Sequence, residues 1–388
     1  MSVDESRPVY VVGGGPGGLA AAAELRRRGL RPVILERGER VGTSWRAGYD
    51  RLHLHTVRGL SGLPGLGIPR AAGRWAARDA VIDYLERYRA HHDLEVRENT
   101  EVERITAAEA ADGDGGRWEI HTTAGERLAA RSIVVATGHA HTPFVPDWPG
   151  REGYSGQLRH AREYRNPAPF AGLDVLVVGV GNSGAEIATD LGEGGARRVW
   201  IAVRTPPQIV KRSVAGWPAH ATGILVSPLP SALVDPVARL QRRLTIPDLT
   251  RYGIRLPDDG LMTRVRRVGE VPLQDVGFVG AVRNGTVTPV TAVSGFEGDK
   301  VVLADGSAIS PQAVIAATGY RRGLEKLVGD LGVLDDRGMP RVHGGTPAAP
   351  GLFFVGYTVS LRGMLRDIAA DARRVAPVVA RDYPSGPR

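Results

Sequence analysis

The 388-residue sequence contains no cysteine. That absence excludes disulfides, thiolate nucleophiles, Cys-ligated zinc and any redox-active dithiol. Lysine is nearly missing as well, since Lys211, Lys300 and Lys326 are all there are. The formal net charge of +8 is therefore carried by arginine, dispersed among abundant Ala, Gly and Pro. Nucleic-acid binding calls for a concentrated basic face, which arginines dispersed in this way are not expected to build. "RRR" at Arg26 to Arg28 falls in the last turn of a predicted helix, where it complements the dipole, and "RVRR" at Arg264 to Arg267 is short and lacks interleaved aromatics. No apolar run approaches the ~20 residues that span a bilayer. The opening "MSVDESRPVY" carries acids where an export signal needs a basic start and an apolar centre. These absences lead us to expect a cytoplasmic protein with no membrane or nucleic-acid partner, as a monomer or homodimer. What is present, 42% hydrophobic and 24% charged residues, is the composition of a globular protein, and the length suits about two domains.

Two segments carry the same pattern. In "VYVVGGGPGGLAAAAELRRRGLRPVILERGER" a buried-strand run, Val9 to Val12, passes directly into glycines and then a helical run, Leu19 to Arg28. Gly13 permits the tight bend, Gly15 lets the backbone approach a pyrophosphate, and Gly18 lets helix pack on strand. Pro16 joins them as a candidate cofactor contact, and the N-terminal N–H groups of the helix favour an anion. The second strand, "PVILE", ends in Glu36 about 20 residues further on, where a carboxylate accepts from ribose hydroxyls; Arg37 follows it. The pattern recurs in "LDVLVVGVGNSGAEIATDLGEGGARRVWIAVRT": strand Val175 to Val178, a turn of Gly179, Gly181, Asn182, Ser183 and Gly184, and helix Ala185 to Leu191. Its second strand, Val199 to Val203, ends in Arg204 instead of an acid. A carboxylate would repel the 2'-phosphate of NADP, whereas a guanidinium grips it, and Lys211 and Arg212 can share that charge. The first cradle reads as an FAD or NAD site and the second as an NADPH site. Two dinucleotides on one chain imply hydride passing from nicotinamide to flavin.

The expected fold class is α/β, with two Rossmann-like dinucleotide-binding domains, the second inserted in the first. Residues 1–165 and 312–388 are assigned to the FAD-binding domain and 166–311 to the NADPH-binding domain, with Pro-rich boundaries at "TPFVPDWPG" and "RNPAPFAG". "RWEIHTTAG" and "SIVVATGHA" read as strands. "ARDAVIDYLERYRAHHDL" reads as a helix with Val81, Ile82 and Leu85 on one face. Strand-ending Ala-Thr-Gly turns occur twice, supplying Thr137 and Gly138 early and Thr318, Gly319 and Tyr320 late as candidate cofactor contacts. "LFFVG" and a helix from about Gly363 close the chain. His53, His55, His91 and His92 make no metal-ligand set, and "HH" at 91 to 92 reads as a solvated helix end.

Between the cradles lies "YSGQLRHAREYR". It resembles the fingerprint of the flavin-containing monooxygenases, aromatic-x-Gly-x3-His-x3-aromatic-Lys/Arg, here Tyr154, Gly156, His160, Tyr164 and Arg165. Baeyer-Villiger relatives have Trp where Tyr164 stands, so the sequence is more similar to the N- and S-oxygenating and YUCCA-like branches. "GTSWRAGYDRLHLHT" resembles the YUCCA-like flavin-side segment and adds Ser44 and Trp45 to the expected cofactor contacts, with Val102 completing the set. "GNSGAE", "ATGY" and "PDLTRYGI…QDVGFVG" agree. Animal-type members place an Asn where His55 stands here.

The resemblance implies FAD and NADPH as cofactors and a monooxygenase cycle in which a C4a-hydroperoxyflavin gives one oxygen atom to a small organic substrate (an amine, a sulfur centre, an aromatic nitrogen or an oxo acid) and the other to water. It makes His55, His160 and Tyr164 the catalytic candidates. The place of the fingerprint directly before the second cradle favours positioning by His160 and Tyr164, with proton transfer by His160 as the alternative. A disulfide reductase, which also carries two cradles, needs a cysteine pair. A flavin-dependent NADPH oxidase without oxygen transfer, a Baeyer-Villiger-type ketone oxygenation, and a protein using FAD only structurally are the remaining alternatives. Loops near 53–75 and 213–262 are expected to build the substrate pocket.

Overall fold

A computed structural model describes residues 8–108 and 117–383. The acidic N-terminal stretch read above as unlike an export signal lies largely outside the described residues. Two five-stranded parallel sheets carry the architecture. In the first, Val9–Val12 lies between Pro32–Leu35 and Ile133–Val135, with Glu95–Arg97 and Leu352–Phe354 at the edges. In the second, Asp174–Val178 lies between Arg198–Ala202 and Ala313–Ala316, with Thr288–Val290 and Gln157–His160 at the edges. The central strands are apolar on both faces because helices cover both sides of a parallel sheet, and Val9, Val11, Val175 and Val177 are fully buried.

The helices begin earlier than the apolar periodicity suggests, Pro16–Arg26 and Asn182–Glu193, so that each N-terminus falls among the glycines. Arg78–His91 buries Val81, Tyr84, Leu85 and Tyr88; Ile82 is only half-buried. His92, just past that helix, stacks on Tyr88 with ring centroids 4.5 Å apart, so it is packed rather than solvated. Each sheet has a three-stranded antiparallel companion immediately before its third central strand, at 102–130 and at 293–309.

This duplication corrects the domain boundaries. Ala313–Ala316 does not return the chain to the first sheet; it pairs with Asp174–Val178 in the second, as Ile133–Val135 pairs with Val9–Val12 in the first. Gln157–His160 also belongs to the second sheet. Cuts at 165/166 and 311/312 therefore pass through that sheet, and the strand that rejoins the first sheet is Leu352–Phe354. A doubly buried strand is a short apolar run with no periodicity, so nothing in "VIAATG" itself says which sheet it enters. Among the described residues no helix is long and apolar enough to cross a membrane.

Candidate functional site

The three glycines of the first cradle do three different things. Gly13 adopts φ +106°, and a Cβ there would sit 2.7 Å from the Ala136 carbonyl oxygen. At Gly18 a Cβ would stand 1.8 Å from the Gly13 oxygen, so this glycine is required by helix-on-strand contact. Gly15 has ordinary extended φ (−82°) and nothing within 4 Å of a Cβ, so its glycine keeps a space open rather than a backbone strained. The second cradle repeats this: Gly179 at φ +108°, Gly184 against the Gly179 oxygen at 2.0 Å, and open space at Gly181. Each helix starts with no side-chain cap, leaving its first N–H groups for a ligand.

Glu36 is buried and already organised. One carboxylate oxygen accepts from the Gly14 N–H at 2.6 Å; the other accepts from the Gly38 N–H at 2.8 Å and the Thr43 hydroxyl at 2.9 Å. A carboxylate has about four acceptor positions, so capacity remains for a ribose hydroxyl. Arg37 reaches back to His141, at 3.2 Å from its ring Nε2. Thr137 shares a 2.9 Å hydrogen bond with the Tyr357 hydroxyl, and burial pushes the Tyr357 phenol up to about 12.

A cavity of about 810 Å³ runs from this cradle to the second domain. Gly13, Gly15, Pro16, Glu36, Arg37, Ser44, Trp45, Val102, Thr137 and Gly138 line its first-domain end. Gly363, Met364, Leu365 and Ile368 bring the start of the Met364–Arg381 helix to it. His55 and Asn182 line it where the domains meet, and Leu229, Leu233, Val237 and Leu261 give the far end apolar walls. Its size is that of a small-molecule or cofactor site.

At the seam, His55 Nε2 lies 3.0 Å from Glu186 Oε1, and the Tyr49 hydroxyl donates to Glu186 Oε2 at 2.7 Å. Glu186 is buried on the second-cradle helix. Its charge, after burial itself, holds the Tyr49 phenol far above its ordinary value.

The pyridine nucleotide-disulphide oxidoreductase family model matches residues 10–217. An indole-3-pyruvate monooxygenase of rice, YUCCA1, is 34% identical over 371 residues, 94% of this chain and 89% of the relative. Another from rice, YUCCA8, is 33% identical over 389 residues, 95% and 90% of the two chains. The chain belongs to the flavin-containing monooxygenases. A flavin-containing monooxygenase from Stenotrophomonas maltophilia matches this monooxygenase in structure with a TM-score of 0.71 at 26% identity, over 96% of this chain and 99% of the other. The bacillithiol disulfide reductase of Bacillus cereus, at 20% identity and a TM-score of 0.68, shares the fold alone. The protein is an FAD- and NADPH-dependent enzyme that incorporates oxygen, and the open space at Gly15 and Gly181 beside uncapped helix N-termini fits two pyrophosphates.

The fingerprint of the monooxygenase lies beneath the second cradle, and none of its residues lines the cavity. The Tyr154 hydroxyl donates to the Pro311 carbonyl at 2.7 Å. A side chain on Gly156 would strike the Tyr154 ring and the Gln312 carbonyl. His160 Nδ1 accepts from the Arg162 N–H at 3.1 Å, and Nε2 donates to the Gly319 carbonyl at 2.9 Å. Burial lowers its pKa. The Tyr164 hydroxyl donates to Asp190 at 2.7 Å on the second-cradle helix, and burial followed by that carboxylate drives its pKa far upward. The fixed intervals thus tie the edge strand Gln157–His160 to the chain at 311–319 and to the helix.

The remaining sequence-derived residues divide. Asn182 donates to the Pro272 carbonyl and accepts from the Gln274 N–H, while Ser183 stands beside Tyr49. Thr318 donates to the Phe144 carbonyl, and the Tyr320 ring packs edge-on against His160 at 4.9 Å. Thr318, Gly319 and Tyr320 therefore belong to the second domain. Arg204 is exposed just beyond the second strand, with no hydrogen bond or ion pair to the described residues. The Arg212 guanidinium stacks on the Trp75 ring at 4.3 Å, and that of Arg74 lies 4.7 Å from the same ring, so a half-buried cation finds an aromatic face there. Glu186, Tyr49 and His220 were not singled out in the sequence. Glu186 ends the quoted "GNSGAE" and Tyr49 falls within "GTSWRAGYDRLHLHT", but neither was given a role there.

Proposed function

We propose that this monooxygenase oxygenates an aromatic oxo acid or a similar apolar organic anion. The observation that carries the reading is the character of the cavity. Its carboxylates, Glu36 and Glu101, come from first-domain segments, whereas the apolar second-domain end carries Lys211 and Arg242. Among the described residues the half-buried Arg242 guanidinium hydrogen-bonds the neutral Gln208 and Pro257 oxygens and no carboxylate. The rice relatives, named for indole-3-pyruvate, support the same class.

Within that reading the chain's own groups bind, orient and exclude water. Gly13, Gly15 and the Pro16–Arg26 helix N-terminus receive the FAD pyrophosphate, and Glu36 its ribose. Gly179, Gly181, Gly184, Asn182 and Ser183 receive NADPH, and Arg204 its 2'-phosphate. FAD, once bound there, would supply the hydride acceptance from NADPH and the electron transfer to oxygen that the side chains lack. Apolar walls exclude water from the reacting atoms. His55 is the one catalytic candidate at the cavity. His160 and Tyr164 are positioning residues, since both ring nitrogens and the phenol are engaged elsewhere. The enzyme works in the cytoplasm as a monomer or homodimer, without a nucleic-acid partner.

The test is NADPH-dependent oxygen uptake with indole-3-pyruvate and phenylpyruvate against amines, sulfides and ketones, with hydrogen peroxide and oxygenated product both measured. Product from the oxo acids alone is expected. Preference for an amine or sulfide, or quantitative peroxide with every compound, would remove this substrate class.

A further inference from the structure

One face of the helix Ser231–Thr245 is apolar and uncovered. Leu233, Val237, Leu240 and Leu244 are spaced four, three and four residues apart. At ~100° per residue they fall within about 60° of arc, and they are 63%, 66%, 60% and 78% exposed. The helix turns another side inward, where Val234 and Asp235 are buried and Ala238, Gln241, Arg242 and Thr245 line the cavity. Leu233 and Val237 belong to both surfaces, since they also line the cavity at its apolar end. Leu240 and Leu244 do not line it, so a cofactor or substrate held inside would leave them uncovered.

We propose that this face docks on the surface of an anionic lipid bilayer, the helix lying along the interface with the apolar end of the cavity behind it. The charge around the stripe selects that partner. Arg239 and Arg243 are exposed on one flank of it, and neither has a hydrogen bond or ion pair among the described residues. Arg242 lies further round, and burial, followed by those two neighbouring guanidiniums, lowers its pKa. Asp235, the one acid of the helix, offsets none of this outward. It is buried and accepts from the Met262 N–H at 2.7 Å and the Thr263 hydroxyl at 2.6 Å.

A helix with leucine and valine on one face, and arginine as its only exposed charge, has the make-up of an interfacial helix. The apolar side sinks below the headgroups while the cations meet anionic lipid. A second copy of the chain fits less well, because a two-fold contact through the stripe gives these arginines no acid to meet on the partner's helix. Such docking does not cross a bilayer, so it accords with the lack of a spanning helix among the described residues. The expectation of no membrane partner then holds for crossing alone. The inference goes beyond the proposed function and does not depend on which compound is oxygenated.

The test is flotation of full-length, FAD-loaded enzyme with vesicles of phosphatidylcholine alone and of phosphatidylcholine mixed with phosphatidylglycerol. Binding to the mixed vesicles is expected, weakening as salt is raised. The net charge of +8 draws the chain to any anionic surface, so the deciding variant is Leu240→Ser/Leu244→Ser, which leaves charge untouched. Removing two leucines from the interface should weaken partitioning about tenfold or more. Arg239→Gln/Arg243→Gln should reduce the preference for the mixed vesicles over phosphatidylcholine. Neither pair lines the cavity, so lipid-free NADPH oxidation and Tm should stay close to wild type in both variants. No binding to the mixed vesicles, or binding that the leucine pair leaves unchanged, overturns the inference. So does light scattering that finds a lipid-free dimer dissociated by the leucine pair, since the face would then belong to a second copy.

Discussion

Single residues divide the cradles into parts required for folding and parts required for ligand. Gly15 and Gly18 stand one helical turn apart, yet a side chain meets open cavity at one and a carbonyl oxygen at 1.8 Å at the other. Gly15→Val should therefore fold with near-normal Tm and purify without flavin, and a fully yellow protein would count against Gly15 as the approach point. Gly18→Ala should instead lower Tm, by several degrees or more if it costs the roughly 1–3 kcal/mol typical of overpacking; circular dichroism melting decides it. Arg204 is exposed and has no hydrogen bond or ion pair among the described residues. Losing a charge-assisted bond worth about 1.5–3 kcal/mol should weaken NADPH about 10- to 100-fold. Arg204→Ala should leave NADH unchanged, and an undiminished preference for the phosphorylated cofactor would exclude it.

At the scale of elements, the strand, glycine turn and helix of each cradle could be read because local chemistry dictates them. Phosphate approach needs missing side chains, and those gaps are visible in sequence. The partner of each strand could not be read in the same way. Ala313–Ala316 was assigned to the wrong sheet, since pairing depends on contacts over a hundred residues away. Glu186 was overlooked because an acid on a helix ordinarily faces solvent, and only folding brings the His55 loop over it. The fingerprint was recognised as a pattern, but its work lies in long-range bonds from Gln157–His160 to 311–319. His160→Ala should remove one of the two hydrogen bonds to the Gly319 carbonyl, which keeps the Phe144 N–H, and release the 161–163 turn. We expect a lower Tm and a raised KM for NADPH, with FAD affinity little changed; equal losses at both cofactors would argue against a role confined to the second domain.

For the molecule as a whole, partial or complete burial favours the neutral form of several histidines. Burial is the leading cause of the lowered pKa at His139, His141, His160 and His220. His220 joins domains, accepting from the Val57 N–H at 3.1 Å and donating to the Arg362 carbonyl at 2.6 Å. Unfolded histidine takes up its proton near pH 6.5, about as in model peptides, whereas these do so only at lower pH. Their contribution is thus complete above that value and lost as pH falls through it toward the folded-state values. Tm should be level at pH 7 to 8 and drop below roughly pH 6.5; a melting temperature flat down to pH 5 would contradict this.

The interleaving of the two sheets also bears on how the polypeptide is made. Every strand of the second sheet lies between residues 157 and 316, whereas the first sheet lacks its edge strand until Leu352–Phe354 has been synthesised. A nascent chain emerging from the ribosome can therefore complete its nicotinamide half while the flavin half, though begun earlier, still waits for its last piece.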